Sequence, residues 1–274
     1  MKTIFSLLFG SIFIFSCNSE APSNYIVKYD FTFAQDSLQP NLLVNDEMIL
    51  EVSPEGMTYL TNDLFKFDTI KEDLAPLIKN DPAYLKTLMG NHSSIQNLKM
   101  FLPKDSSQYY MQTKVNALIY HFKDDVPNIE WVLIDEEKKI LDYKVKKAST
   151  TLFNREWIAW YAEDFKSSYG PYKFNGLPGL ILELSDTRNH FHFKAKELLF
   201  DTISHANTID RMKVNSTKQE FIDKIKEYKA YPFRYTGIKN EKEMVDVKKI
   251  EERKEELKRY NNAIEKGFHF DINR

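Results

Sequence analysis

Apolar and polar residues alternate along Tyr25 to Phe33 (YIVKYDFTF), the two-residue period of a half-buried strand. Asn41 to Val52 (NLLVNDEMILEV) reads as its hairpin partner, with turn residues at Asn45-Asp46 and at Pro54-Glu55-Gly56. From Leu64 to Met89 the period lengthens. Leu74, Leu77 and Ile78, then Tyr84, Leu85 and Leu88, predict two short helices broken near Asn80-Asp81-Pro82 and stopped by Gly90. Asn91 to Ser107 is polar and reads as a loop.

The strand pattern resumes at Gln108 with YYMQTKVNALIYHF and continues in Glu130 to Asp135 (EWVLID). Asp135-Glu136-Glu137-Lys138 predicts a polar turn before a long strand, Ile140 to Phe153, and Asn154-Arg155 a tight corner before Glu156 to Ala162. Leu180 to Leu184 and Phe191 to Phe200 complete the series. Consecutive strands joined by short polar turns imply an antiparallel meander, not a βαβ fold.

In Trp157-Ile158-Ala159-Trp160-Tyr161 one sheet face carries Trp157, Ala159 and Tyr161, and the other carries Ile158 and Trp160. Both faces are apolar there and in Leu180-Ile181-Leu182, so the sheet must be covered twice or curve onto itself. The end of the chain is helical in pattern. Thr217 and Glu220 form a capping box ahead of Phe221, Ile222 and Ile225, and Tyr231-Pro232-Phe233 interrupts. Glu241 to Lys266 predicts a long charged helix with the stripe Met244, Val247, Ile250, Leu257, Tyr260 and Ile264, supported by a Glu255–Arg259 pair. The fold class expected is α+β and β-dominated: a curved antiparallel meander, half-barrel or sandwich-like, with a helical insertion near 64–89 and C-terminal helices.

The first residues, MKTIFSLLFGSIFIFSC, have the positive start, short apolar run and small residue of an export signal, and are too short to span a membrane comfortably. They resemble a bacterial lipoprotein signal in which Cys17 becomes the lipidated first residue. Cys17 is the single cysteine of the 274-residue chain, so disulfides and cysteine-metal clusters are excluded. The chain divides into a signal at 1–17, a polar tether at 18–24, a β-rich domain at 25–205 and a helical segment at 206–274 packed on the sheet. Expected partners are a membrane, through the lipid anchor, and an outer-membrane protein; the location is the cell envelope, with the outer membrane favoured. A net charge of -2 argues against nucleic acid as a partner.

The stretch Phe174 to Leu184 (FNGLPGLILEL) raises the question of chemistry. Gly176-Leu177-Pro178-Gly179 reads as a structural turn: Pro178 fixes its own φ, and Pro-Gly suits the centre of a type II turn. A phosphate loop would need Lys and Ser or Thr followed by a helix, and here a strand follows. Gly176 to Ile181 also spell the motif of the GLPGLI family of exported Bacteroidota proteins. The chain resembles that family through EWVLIDEEKKILDYKVKKAST, REWIAWYAEDF and GPYKFNGLPGLILELSD, departing at Val145, where the family often has cysteine. The resemblance implies an envelope location and no activity, since the family has no established catalytic residues.

Other chemistry is sparse. His190 and His192 alternate on a strand and could contribute to a zinc site with Asp186, Glu183 or His121, but a third and fourth ligand are not specified; no metal and no cofactor are expected. Asp124-Asp125 and Asp135-Glu136-Glu137 read as solvated turn charges. Trp131, Trp157, Trp160, Tyr161 and Phe174 either line an apolar ligand cavity or fill the core. With no catalytic motif recognised, the expected function is a non-catalytic binding or accessory module for an apolar or peptide ligand or an outer-membrane partner. The alternatives are a hydrolase using His190 or His192 with a nearby carboxylate, and a structural subunit of an envelope complex.

Overall fold

The computed structural model describes residues 24–66, 98–115, 118–200, 213–232 and 247–265. These form twelve strands and two principal helices. The strands are β1 (Tyr25–Ala34), β2 (Leu43–Ser53), β3 (Gly56–Thr61), β4 (Leu98–Pro103), β5 (Gln108–Val115), β6 (Leu118–Asp125), β7 (Val132–Ile140), β8 (Tyr143–Leu152), β9 (Arg155–Ala162), β10 (Leu180–Asp186), β11 (Phe191–Phe200) and β12 (Lys213–Asn215). The helices are α1 (Lys218–Ala230) and α2 (Val247–Lys258), and residues 62–66 add a helical turn. Among the described residues no helix is long and apolar enough to cross a membrane.

All strands belong to one sheet, in the order β12-β6-β5-β4-β3-β2-β1-β11-β10-β9-β8-β7. Two meanders, β1–β6 and β7–β11, are joined where β1 pairs with β11 antiparallel; only β12 runs parallel to its neighbour, β6. Consecutive strands β6 and β7 therefore stand ten positions apart, about 48 Å in a flat sheet with strands about 4.8 Å apart. The connection from Asp125 to Val132 reaches about 25 Å at most, seven steps of about 3.6 Å. The sheet must curl until its two ends approach, which makes one face an enclosed interior.

That interior is a single cluster. Phe31 stacks on Phe193 across the meander junction at 4.1 Å between ring centroids, and Trp157 meets Phe174 at 4.6 Å. On the other meander a row of directly paired residues, Leu50, Tyr59, Met100, Met111 and Phe122, crosses β2 to β6. α1 closes this side with Phe221, 5.0 Å from Phe122 and 5.7 Å from Tyr120. A smaller cluster on the outer face gathers Ile26, Ile49 and Leu60 under Leu64 and Phe65. The expected curved, β-dominated fold is observed.

Several expected elements shift. Asp135 to Lys138 is not a turn but part of edge strand β7, bulged between Ile134 and Glu137, with Glu136 and Glu137 paired to Lys147 and Lys144 of β8. The true corner is Leu141-Asp142, with Leu141 at φ 50°. Within the expected loop at 91–107, of which 91–97 lie outside the described residues, Leu98–Pro103 form β4, and Asn45-Asp46 lie within β2 opposite Thr32 and Phe31. The strand pattern that resumes at Gln108 is two strands, β5 and β6. Most of the 64–89 insertion and residues 1–23 lie outside the described residues.

The capping box at Thr217 and Glu220 is present, and α1 ends before Tyr231. The long C-terminal helix is shorter than its pattern suggests. α2 stops at Lys258, Glu255 pairs with Lys258 instead of Arg259, and Tyr260 and Ile264 reach the core from non-helical chain. Just past the end of α2 the Asn261 and Asn262 side chains donate to Asp36 and to the Ala34 carbonyl, the kind of side-chain bonding that competes with a helix.

Candidate functional site

The β9–β10 connection, residues 163–179, turns into the interior instead of passing over the surface. Its backbone bonds to itself, Gly176 donating to Ser168 at 2.9 Å and Phe174 to Pro171 at 3.2 Å, and β10 holds it through Ile181, which donates to Tyr169 at 3.0 Å. Trp131 pins it from outside through its indole N–H to the Asn175 carbonyl at 2.8 Å. Leu177-Pro178-Gly179 is tighter than the expected type II turn. Gly179 N–H donates to the Leu177 carbonyl at 2.8 Å, a three-residue turn about Pro178. Gly179, at φ 158°, is fixed by space: a Cβ there would lie 2.2 Å from the Ala162 carbonyl oxygen.

This inward turn delivers Lys173 to a buried position, 2% exposed, between Tyr172 and Phe174. Its Nζ meets Asp124 Oδ2 of β6 at 2.5 Å and Glu265 Oε2 at 2.6 Å. Lys218, first residue of α1, reaches Asp124 Oδ1 at 3.0 Å and also bonds Glu265 Oε1. Tyr172 donates to Glu265 Oε2 at 3.1 Å. Two lysines and two carboxylates thus alternate in a closed ring that ties four separate parts of the chain. Burial works to raise the Glu265 carboxyl, but the charges and hydrogen bonds of Lys173 and Lys218 hold it below its ordinary value. Burial works to lower Lys218, and its two carboxylate partners reverse this, leaving it raised. Tyr172 is pushed well above 10, first by burial and then by the Glu265 charge. The Glu265 and Lys218 shifts favour the charged carboxylate and ammonium forms, and the Tyr172 shift keeps its phenol neutral, as a hydrogen-bond donor.

Asp124 is therefore no solvated turn charge, whereas its neighbour Asp125 is exposed and accepts from Gln108 Nε2 at 2.9 Å. Lys173, Lys218 and Glu265 carry no spacing that sequence could reveal. The one local signal was a lone lysine in an apolar, turn-rich stretch from Tyr169 to Leu184.

A second cluster lies on the outer face of the second meander. Glu183 accepts from Lys138 Nζ at 2.5 Å and lies 3.1 Å from His192 Nε2, while Lys138 also sits 4.2 Å from the centre of the Trp160 ring. Partial burial works to raise Glu183, but these two hydrogen bonds and their charges take it from 4.5 down to about 2. His190 does not join it. It precedes β11, and its Nδ1 lies 3.4 Å from Asn262 Nδ2. Asp186 is also committed elsewhere, to Arg155 at 3.0 Å and to the backbone N–H groups of His190 and Phe191. His121 is on β6, opposite Gln112. Among the described residues no group of three or more His, Cys, Asp or Glu side chains is placed to hold a metal ion.

The aromatic set divides. Trp157, Tyr161 and Phe174 are buried in the interior, Trp131 packs on its margin 6.5 Å from Phe174, and Trp160 lies on the opposite face under Lys138 and Lys147.

Residues 150–183, which include β9, the inward turn and the first strand residues after it, match a family model described as a protein of unknown function (Porph_ging). No curated protein matches the chain. Two solved structures of PNGF-II, in space groups P21 and C2, are similar in fold. At 15% identity they align with TM-scores of 0.53 and 0.52, over 76% and 75% of this chain but 34% and 33% of theirs. The chain spans about a third of the PNGF-II chain.

Proposed function

We propose that this chain is a non-catalytic binding or accessory module of the cell envelope, lipid-anchored through Cys17, that engages a peptide or an outer-membrane protein. The observation that carries the reading is geometric: the carboxylates of both charged clusters are engaged by lysines in closed ion networks. A general acid working near neutral pH needs a carboxyl whose proton is held more tightly than usual. Glu183 and Glu265 are both driven the other way, and each is engaged by lysine. Similarity of fold to about a third of a longer protein fits a module that accompanies other domains. The resemblance to exported GLPGLI proteins and the lipoprotein-like start support the location.

The hydrolase alternative keeps one specific observation, the 3.1 Å contact of His192 with Glu183. Lys138 shares that carboxylate, which makes the trio a compensated ion cluster and not a base awaiting a nucleophile. The two readings separate in cells. Photoreactive residues placed at the exposed positions Leu133 and Tyr110 are expected to give discrete protein adducts in the envelope fraction, lost when Cys17 is replaced by Ser. No adduct at either position, together with turnover of an ester, peptide or glycan substrate abolished by His192→Ala, would contradict the module.

A further inference from the structure

Beyond α2, Tyr260 to Glu265 cross the body without joining the sheet or a helix, yet Tyr260, Asn262 and Ile264 are buried. The segment is gripped along its length. Asn261 and Asn262 N–H groups donate to the Gln35 carbonyl at 3.3 and 3.1 Å. The Asn261 side chain accepts from Ser37 N–H at 2.8 Å and from its hydroxyl at 2.7 Å, and donates to Asp36 at 2.7 Å. Asn262 donates to the Ala34 carbonyl at 2.6 Å and accepts from Arg155 at 2.5 Å. Three residues later, Glu265 lies in the pocket made by Lys173, Lys218 and Tyr172. A backbone carbonyl for main-chain amides, a pocket for one side-chain amide and a doubly basic pocket for one carboxylate are the parts of a peptide-recognition groove.

We propose that this groove recognises an extended peptide carrying Asn and, three residues on, an acidic residue, and that residues 260–265 fill it in cis until a partner's segment replaces them. The proposal rests on the binding-module reading and names its partner class. Tyr260 and Ile264 anchor the segment in the core, but the rest of its grip is polar and regains water when the segment lifts, so with no ladder of sheet pairing it opens more readily than the strands. The emptied carboxylate pocket is different. Lys173 is buried, and losing one of its two carboxylates is unfavourable, so any replacement must bring its own acid.

The test uses the full chain with Asn262→Ala and Glu265→Ala, and a fluorescein-labelled peptide of residues 258–267 (KRYNNAIEKG). The variant is expected to bind the peptide at least about tenfold more tightly than the unaltered chain, and a peptide with Ala in place of its acid at least about tenfold more weakly. Equal binding to both chains, or none to either, overturns the proposal. Should circular dichroism show the variant unfolded, hydrogen exchange of the unaltered chain decides. The amides of Asn261 and Asn262 are expected to exchange at least about tenfold faster than those of β1. Exchange only through global unfolding would mean that the groove never opens. If the peptide fails while envelope cross-links persist, the groove falls and the module stands.

Discussion

Gly179 and Lys173 show how single residues set the site. At Gly179 a Cβ would press on the Ala162 carbonyl oxygen, and at Gly176, φ 92°, the nearest atom to a Cβ is 3.8 Å away, on Trp131. Strain from positive φ alone costs about 1 kcal/mol, so Gly176→Ala should lose about that much in urea unfolding. Gly179→Ala adds a backbone collision and should lose at least about 2 kcal/mol more. A smaller loss at Gly179 than at Gly176 would show that the close approach to β9 is wrong. Lys173 makes a similar comparison. Its truncation by Lys173→Met leaves Asp124, 7% exposed, short of a partner and should cost about 3–5 kcal/mol. Lys147→Met, which breaks the pair with half-exposed Glu136, should cost less than about 1 kcal/mol. Similar losses from both would contradict a buried ring.

At the scale of elements, the outer cluster fastens β7 to β10 and β11 through Lys138, Glu183 and His192. Glu183 is lowered on folding from 4.5 to about 2. A lowered carboxyl stabilises the fold fully above its unfolded value, and the contribution fades as pH falls toward the folded one. Stability should therefore drop between about pH 5 and pH 2 by about 1–2 kcal/mol on this account, discounted for solvent screening. In Glu183→Gln that part of the acid sensitivity should vanish from urea midpoints measured across the same range; an unchanged pH profile would remove the cluster from the account. Such elements were unevenly legible. Alternation put Trp157, Ala159 and Tyr161 on one face and Ile158 and Trp160 on the other, and Thr217 announced α1, because each signal is local; which face turns inward is set by the curl of the whole sheet. The start of β7 was legible in EWVLID, but its continuation through Asp135 to Lys138 was hidden, since an edge strand with charged side chains looks like a turn. The lysine–carboxylate ring was hidden because its bonded partners lie 47 to 94 residues apart and meet only after the sheet has curled.

Across the whole molecule, the short link from β6 to β7 forces the twelve-stranded sheet to close on itself, and the β9–β10 turn, α1 and the C-terminal segment fill and fasten the opening. Two clusters of charge in this body are each compensated by their own ion pairs, which supports the proposal of a module that binds over one that performs acid–base chemistry. Carbon-detected NMR titration of the Glu183 and Glu265 side-chain carboxyls in the full chain tests this claim most directly. The account predicts that Glu183 titrates near 2 and Glu265 below its ordinary value. Either carboxyl titrating above about 6, the range of a working general acid, would contradict it and return the chain to the hydrolase reading.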